Sequence, residues 1–179
     1  MSVDLDSLPV TITDIERAAE LLEGVIERTP VAHSRALSQR LGSEVFFKCE
    51  NLQRAGSFKV RGAYVRMAKL SEEEKKRGVV AASAGNHAQG VALAADRLGI
   101  KARIYMTLGA ALPKITATRD HGAEVELHGV TVDEALAEAK RYAEETGAVF
   151  VHPFDNEDII AGQGTIGLEI LEQVPNVDT

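Results

Sequence analysis

Between Val79 and Val151 the chain repeats one pattern: a short strand-like run, a helix-length stretch, then another strand-like run. Val79-Val80-Ala81-Ala82, Ala102 to Met106, Ala123 to Leu127 and Ala148-Val149-Phe150-Val151 are the short runs. In the first gap Ala88, Val91, Ala92, Ala95 and Leu98 fall on one helical face, and Gly99 is placed to end that helix. Pro113 suits the first turn of a second helix that stops at Gly122, and Thr131-Val132-Asp133-Glu134 opens a third. Strands joined through helices of about three turns form βαβ units. The fold class implied is therefore α/β, a doubly wound parallel sheet. Right-handed crossovers bring the C-terminal strand ends to one edge, where ligands of such sheets bind.

Outside that region the signals are sparser. Thr13-Asp14-Ile15-Glu16 has the form of a capping box, followed by Ile15, Ala18, Ala19, Leu22 and Ile26 at helical spacing. Pro30 biases Thr29 away from the helical region, so this helix is expected to stop between Gly24 and Thr29. Val45 to Cys49 reads as a strand entering a polar loop, Glu50 to Gly56, and a last helix covers roughly Asp158 to Gln173. A length of 179 residues fits one domain or two small ones sharing a core. With 45% hydrophobic but only 4% aromatic residues and no Trp, that core must be aliphatic.

A net charge of −7 argues against nucleic acid or an anionic membrane as partner. The basic run Lys75-Lys76-Arg77 follows Glu72-Glu73-Glu74 and reads as a solvated helix face. Cys49 is the single cysteine, which excludes an internal disulfide and fits a reducing compartment. The acidic start Met1 to Asp6 has no apolar core of a signal peptide, and no apolar run reaches the ~20 residues of a membrane span. A cytoplasmic location is expected.

Two segments have chemistry to offer. Ser57-Phe58-Lys59-Val60-Arg61-Gly62-Ala63 lies at a loop-to-helix junction. A lysine becomes an imine-forming nucleophile when it is partly desolvated or faces another cation, and Lys59 follows Phe58 and precedes Arg61 by two. Read alone, a lysine is nearly always a solvated surface charge. Ser83-Ala84-Gly85-Asn86-His87-Ala88-Gln89-Gly90 is a small-residue turn leading into a helix. Free backbone N–H groups and the positive dipole end there suit a carboxylate or phosphate, although a plain strand-to-helix turn would look the same.

Together these segments resemble the pyridoxal-phosphate (PLP) enzymes of the tryptophan-synthase β-subunit fold, PLP fold type II. Glu50-Asn51-Leu52-Gln53, Gly56 to Ala63 and Ala82 to Gly90 are specifically similar to threonine dehydratases, with serine dehydratases and serine racemases as near relatives. Leu112-Pro113-Lys114, Gly122 to Val125 and His152-Pro153-Phe154-Asp155 extend the likeness, which runs from about Ile15 to Gln173. The resemblance implies that Lys59 bonds the cofactor aldehyde and later takes the substrate Cα proton. It implies that Phe58 packs on the cofactor ring and Asn86 hydrogen-bonds the PLP 3′ hydroxyl. Ser83, Ala84, Gly85, Asn86 and His87 would hold the substrate carboxylate. The activity implied is dehydration and deamination of L-threonine or L-serine to 2-oxobutyrate or pyruvate and ammonia, with a serine racemase-type isomerase as the alternative.

In such enzymes the chain continues past residue 179, first into a glycine-rich phosphate loop. The expectation is therefore a partial catalytic domain. Residues 1–52 and 153–179 would belong to a larger subdomain, 53–152 would form a small α/β subdomain, and any regulatory domain would lie outside this chain. Relatives tend to carry prolines near 107 and 111, whereas Thr107-Leu108-Gly109-Ala110-Ala111 is more apolar. That suggests an exposed surface through which the chain could form a homodimer, and a non-catalytic self-associating α/β domain is a competing reading. A third is a nucleotide-binding domain, from Gly162-Gln163-Gly164-Thr165-Ile166-Gly167. The G-x-G-x-x-G pattern there does not directly follow a strand, so close packing of a glycine-bearing helix explains it better. His33, His121, His128 and His152 lack metal-ligand spacing.

Overall fold

The computed structural model describes residues 8–178; the Met1 to Asp6 segment discussed above lies outside them. In chain order the elements are α1 (Ile12–Leu22), β1 (Val31–His33), α2 (Arg35–Leu41), β2 (Phe46–Lys48) and α3 (Lys59–Ala68). They continue with α4 (Glu72–Arg77), β3 (Val79–Ala82), α5 (Asn86–Leu98), β4 (Ala102–Met106) and α6 (Leu112–Asp120). The last are β5 (Glu124–Leu127), α7 (Val132–Thr146), β6 (Val149–Phe150) and α8 (Glu157–Gln173). A 3-10 turn at Glu50–Leu52 sits between β2 and α3.

The four strands expected from the alternation form one parallel sheet in the order β5-β4-β3-β6. All four residues of β3 are buried, and they divide between two cores. Val79 and Ala81 pack with α3 and α5 residues such as Met67, Val91 and Ala95. Val80 and Ala82 face the other way, onto Ala135 and Ala139 of α7. Helices on both faces leave no wet side, which is why this strand is uninterruptedly apolar.

The winding reverses once. The crossovers through α5 and α6 step outward from β3 to β4 to β5. The crossover through α7 instead returns the chain to the opposite side of β3. Val151 N–H still reaches Val80 O, at 2.9 Å, and then the chain leaves the sheet. On the other flank, β3 stays tied to β4 through Ser83 N–H to Tyr105 O, at 3.0 Å. The C-terminal ends of β3 and β6 thus diverge at a topological switch point, where open α/β sheets place their ligands.

Three local expectations need correcting. The first helix is capped two residues earlier than the sequence pattern suggests: Thr11 and Asp14, not Thr13 and Glu16, form the reciprocal box. The strand expected at Val45–Cys49 is shorter, and it pairs antiparallel with β1, a strand the sequence pattern does not announce. Of the Thr107–Ala111 surface, Leu108 and Ala111 are exposed, whereas Thr107 and Ala110 are half-buried and Ala110 packs on the core beneath. The helix-packing reading of the glycines in α8 holds. A Cβ placed on Gly162 would lie 2.6 Å from Gly62 Cα, so α3 and α8 approach backbone to backbone.

Candidate active site

Lys59 is the first residue of α3, with Phe58 as the N-cap. Its side chain is half-buried, and Nζ donates to the Pro153 carbonyl at 2.8 Å. The same Nζ stands 5.2 Å from the centroid of the Phe58 ring, which remains partly exposed. Burial holds the Lys59 ammonium below the usual lysine pKa. The second route to activation raised by the sequence, a neighbouring cation, does not operate. Arg61 turns away from Lys59 and is fully buried, with all five of its N–H groups taken. It bonds Glu50 at 2.9 and 2.8 Å, Glu169 at 2.7 and 3.1 Å, and Thr165 at 3.1 Å. Lys48 shares the Glu169 Oε2 with Arg61 and also donates to Thr29 O, at 2.6 Å. This network anchors the helix that starts at Lys59; its charge is spent internally.

The Ser83–His87 turn leaves the end of β3 and enters α5. Gly85 is the N-cap, and among the described residues no side chain caps this helix end. The first-turn N–H groups of such a helix need an outside acceptor. Ser83 Oγ accepts from Gly85 N–H at 3.2 Å, and a Cβ added at Gly85 would meet open space. Asn86 is exposed, and its Oδ1 accepts from Lys114 Nζ on α6 at 3.3 Å. His87 points inward: its Nε2 lies 2.9 Å from Val151 O. A carbonyl only accepts, so Nε2 carries the proton. Burial lowers the His87 pKa to about 4, with the charge of Lys59 adding to it against the Val151 hydrogen bond. The imidazole is therefore neutral near pH 7 and turned away from any carboxylate at the turn. Its contribution at the surface is its backbone N–H.

Two contacts bring the segments together. Lys59 and His87 grip carbonyls two residues apart on the segment Val151-His152-Pro153, a span of at most about 7 Å. Gly90, one turn into α5, lies against the start of α3. A Cβ there would come within 2.8 Å of the Lys59 carbonyl carbon and 2.9 Å of Val60 N. Sequence reasoning missed Gly90, Lys114 and the Val151–Pro153 segment. For Gly90 the signal was a glycine inside a helix pattern, which raises the question of a close packing partner, and Lys114 and His152-Pro153 lie in segments that carry the family resemblance.

Residues 22–179 match the family described as "Pyridoxal-phosphate dependent enzyme". The chain belongs to that family. Within it, the chain is 59% identical over 169 residues to an L-threonine ammonia-lyase of Thermotoga maritima, covering 94% of this chain and 42% of that protein. Among solved structures it is similar to maize serine racemase, with a TM-score of 0.91 and 39% identity, over 96% of this chain and 52% of that one. It is also similar to a threonine deaminase isoform of Solanum lycopersicum, with a TM-score of 0.85 and 40% identity, over 99% of this chain and 52% of that one. The chain thus spans about half the length of these relatives.

The residues present fit the cofactor of this PLP family. An amine with a depressed pKa lies beside a partly exposed aromatic ring, next to an uncapped helix N-terminus with open space at its cap. That is the donor set expected for an aromatic aldehyde carrying an amino acid.

Proposed function

We propose that this chain supplies the lysine and the carboxylate-binding turn of a PLP-dependent L-threonine ammonia-lyase, which converts threonine to 2-oxobutyrate and ammonia, or serine to pyruvate and ammonia. The observation that carries this reading is the joint anchoring of Lys59 and the α5 N-terminus on the Val151–Pro153 segment, at the switch point of the sheet. The name of the Thermotoga maritima relative supports threonine as the substrate.

Lys59 would bond the cofactor aldehyde, Phe58 would pack on its ring and Asn86 would face its 3′ oxygen. When bound, PLP supplies an electron sink that acidifies the substrate Cα–H. Lys59 Nζ, neutral in larger fraction than an exposed lysine, takes that proton. The backbone N–H groups of the Ser83–His87 turn orient the substrate through its carboxylate, with the α5 dipole behind them. His87 holds the turn in place from below. In the same proposal residues 53–152 form the smaller subdomain, and 1–52 with 153–179 form part of a larger one. A homodimer through Thr107–Ala111 belongs to it too, and a monomer at every concentration in sedimentation would remove that part.

The direct test is chemical. In a protein that includes the relatives' remaining half, incubation with PLP followed by borohydride should leave the cofactor fixed to the peptide carrying Lys59, and Lys59→Ala should abolish the label. Labelling spread over surface lysines, unchanged in Lys59→Ala, would refute the assignment. Assaying D-serine beside 2-oxobutyrate in a protein that includes the relatives' remaining half separates the lyase from a racemase.

A further inference from the structure

We propose that His152 is a positioning residue for Lys59, acting through the Pro153 carbonyl. Its imidazole Nδ1 accepts from two backbone N–H groups, Phe154 at 3.2 Å and Asp155 at 2.7 Å. Nδ1 is therefore unprotonated. The ring meets two aromatic neighbours edge-on, Phe150 at 6.2 Å and Phe154 at 4.6 Å between centroids.

The consequence for Lys59 follows from peptide geometry. Phe154 N–H and Pro153 C=O belong to one planar trans unit and point in opposite directions. Directing the N–H to His152 aims the carbonyl to the other side, where Lys59 Nζ meets it at 2.8 Å. The proline ring locks φ at Pro153, so the orientation of that carbonyl rests on ψ alone, and the imidazole sets it. Two residues before Pro153, Val151 carries His87 from α5 on its own carbonyl. The turn at 152–155 thus fixes the reactive amine relative to the helix end that would receive the substrate.

This inference rests on Lys59 being the reactive amine, and its test uses no cofactor, so cofactor binding can fail while the positioning holds. Competitive acetylation across pH, read by mass spectrometry on the peptide carrying Lys59, gives the midpoint of that amine. In His152→Ala the carbonyl is no longer aimed, and the ammonium loses a charge-assisted hydrogen bond while staying buried. The midpoint should fall by about one pH unit. His152→Asn should restore it, because Asn Oδ1 occupies the place of Nδ1 and accepts the same N–H groups. A folded His152→Ala whose midpoint is unchanged or raised would overturn the proposal, as would an equal fall in His152→Asn. If His152→Ala does not fold, the Pro153 carbonyl carbon resonance in Lys59→Met and in the unmutated chain reads the same contact. It should move, and an unchanged resonance is equally decisive against the proposal.

Discussion

Replacing Arg61 by methionine keeps much of the side-chain volume and deletes the guanidinium from a site with no exposure. What remains is a pair of carboxylates, Glu50 and Glu169, whose side chains are only 11% and 15% exposed. Four hydrogen bonds to them disappear, as does the one to Thr165. Lys48 still pairs with Glu169, but Glu50 keeps only the Thr29 hydroxyl, at 2.6 Å. Breaking a buried ion pair from one side costs about 3–5 kcal/mol, mainly from the uncompensated charge left behind. With a urea m-value of about 2 kcal/mol/M, the unfolding midpoint should drop by roughly 1.5–2.5 M. Adding Glu50→Gln should recover part of that loss, since Glu50 is the carboxylate left buried without a cation while Glu169 keeps Lys48. The same network has a signature in pH. Burial raises the Glu169 pKa, but the hydrogen bonds from Arg61 and Lys48 outweigh it and hold the carboxyl below the usual range. The unfolded chain therefore protonates first as pH falls. The stability that Glu169 contributes is complete above the ordinary glutamate pKa and is lost down to its folded value. Chemical denaturation followed by circular dichroism is the assay. A midpoint shift in Arg61→Met below about 0.5 M, or no recovery in the double variant, would refute this account of the network.

Three further outcomes are expected. Stability should fall by roughly 3 kcal/mol between pH 6.5 and about 4, the window in which unfolded His87 charges and folded His87 does not; His87→Gln should flatten that slope in urea titrations. Gly90→Ala should destabilise by about 1–3 kcal/mol, because its Cβ meets the backbone of Lys59 and Val60. A gain near the ~1 kcal/mol helix propensity of alanine in thermal melts would show that α3 and α5 have room to spare. Given excess PLP and threonine, the 179-residue chain should form 2-oxobutyrate far below the ~10 s⁻¹ typical of enzymes. The phosphate loop that its resemblance implies would lie in the part of the relatives it does not span, and three lost charge-assisted bonds weaken cofactor binding by roughly three to six decades. Turnover near the typical rate, abolished in Lys59→Ala, would show that these residues suffice.

Much of this architecture was legible before any coordinate. Strand and helix periods are local properties, so the four parallel strands from Val79 to Val151 and their helices could be read from the spacing of Val, Ala and Leu and from glycines such as Gly99 and Gly122. The lysine segment and the Ser83–His87 turn were legible for a similar reason, because each is a contiguous run of residue types that its chemistry needs. What the tertiary structure alone decided lies between residues far apart in the chain. No local period says that β6 returns to the open side of β3 and creates the switch point. Nor does one say that Arg61, two residues after Lys59, spends its charge on Glu50 and Glu169 instead of activating the lysine. The inward turn of His87 onto Val151 and the Pro153 carbonyl under Lys59 are likewise set by packing. A side chain's direction depends on which distant backbone lies within 3 Å of it, and that proximity exists only once the layers have closed.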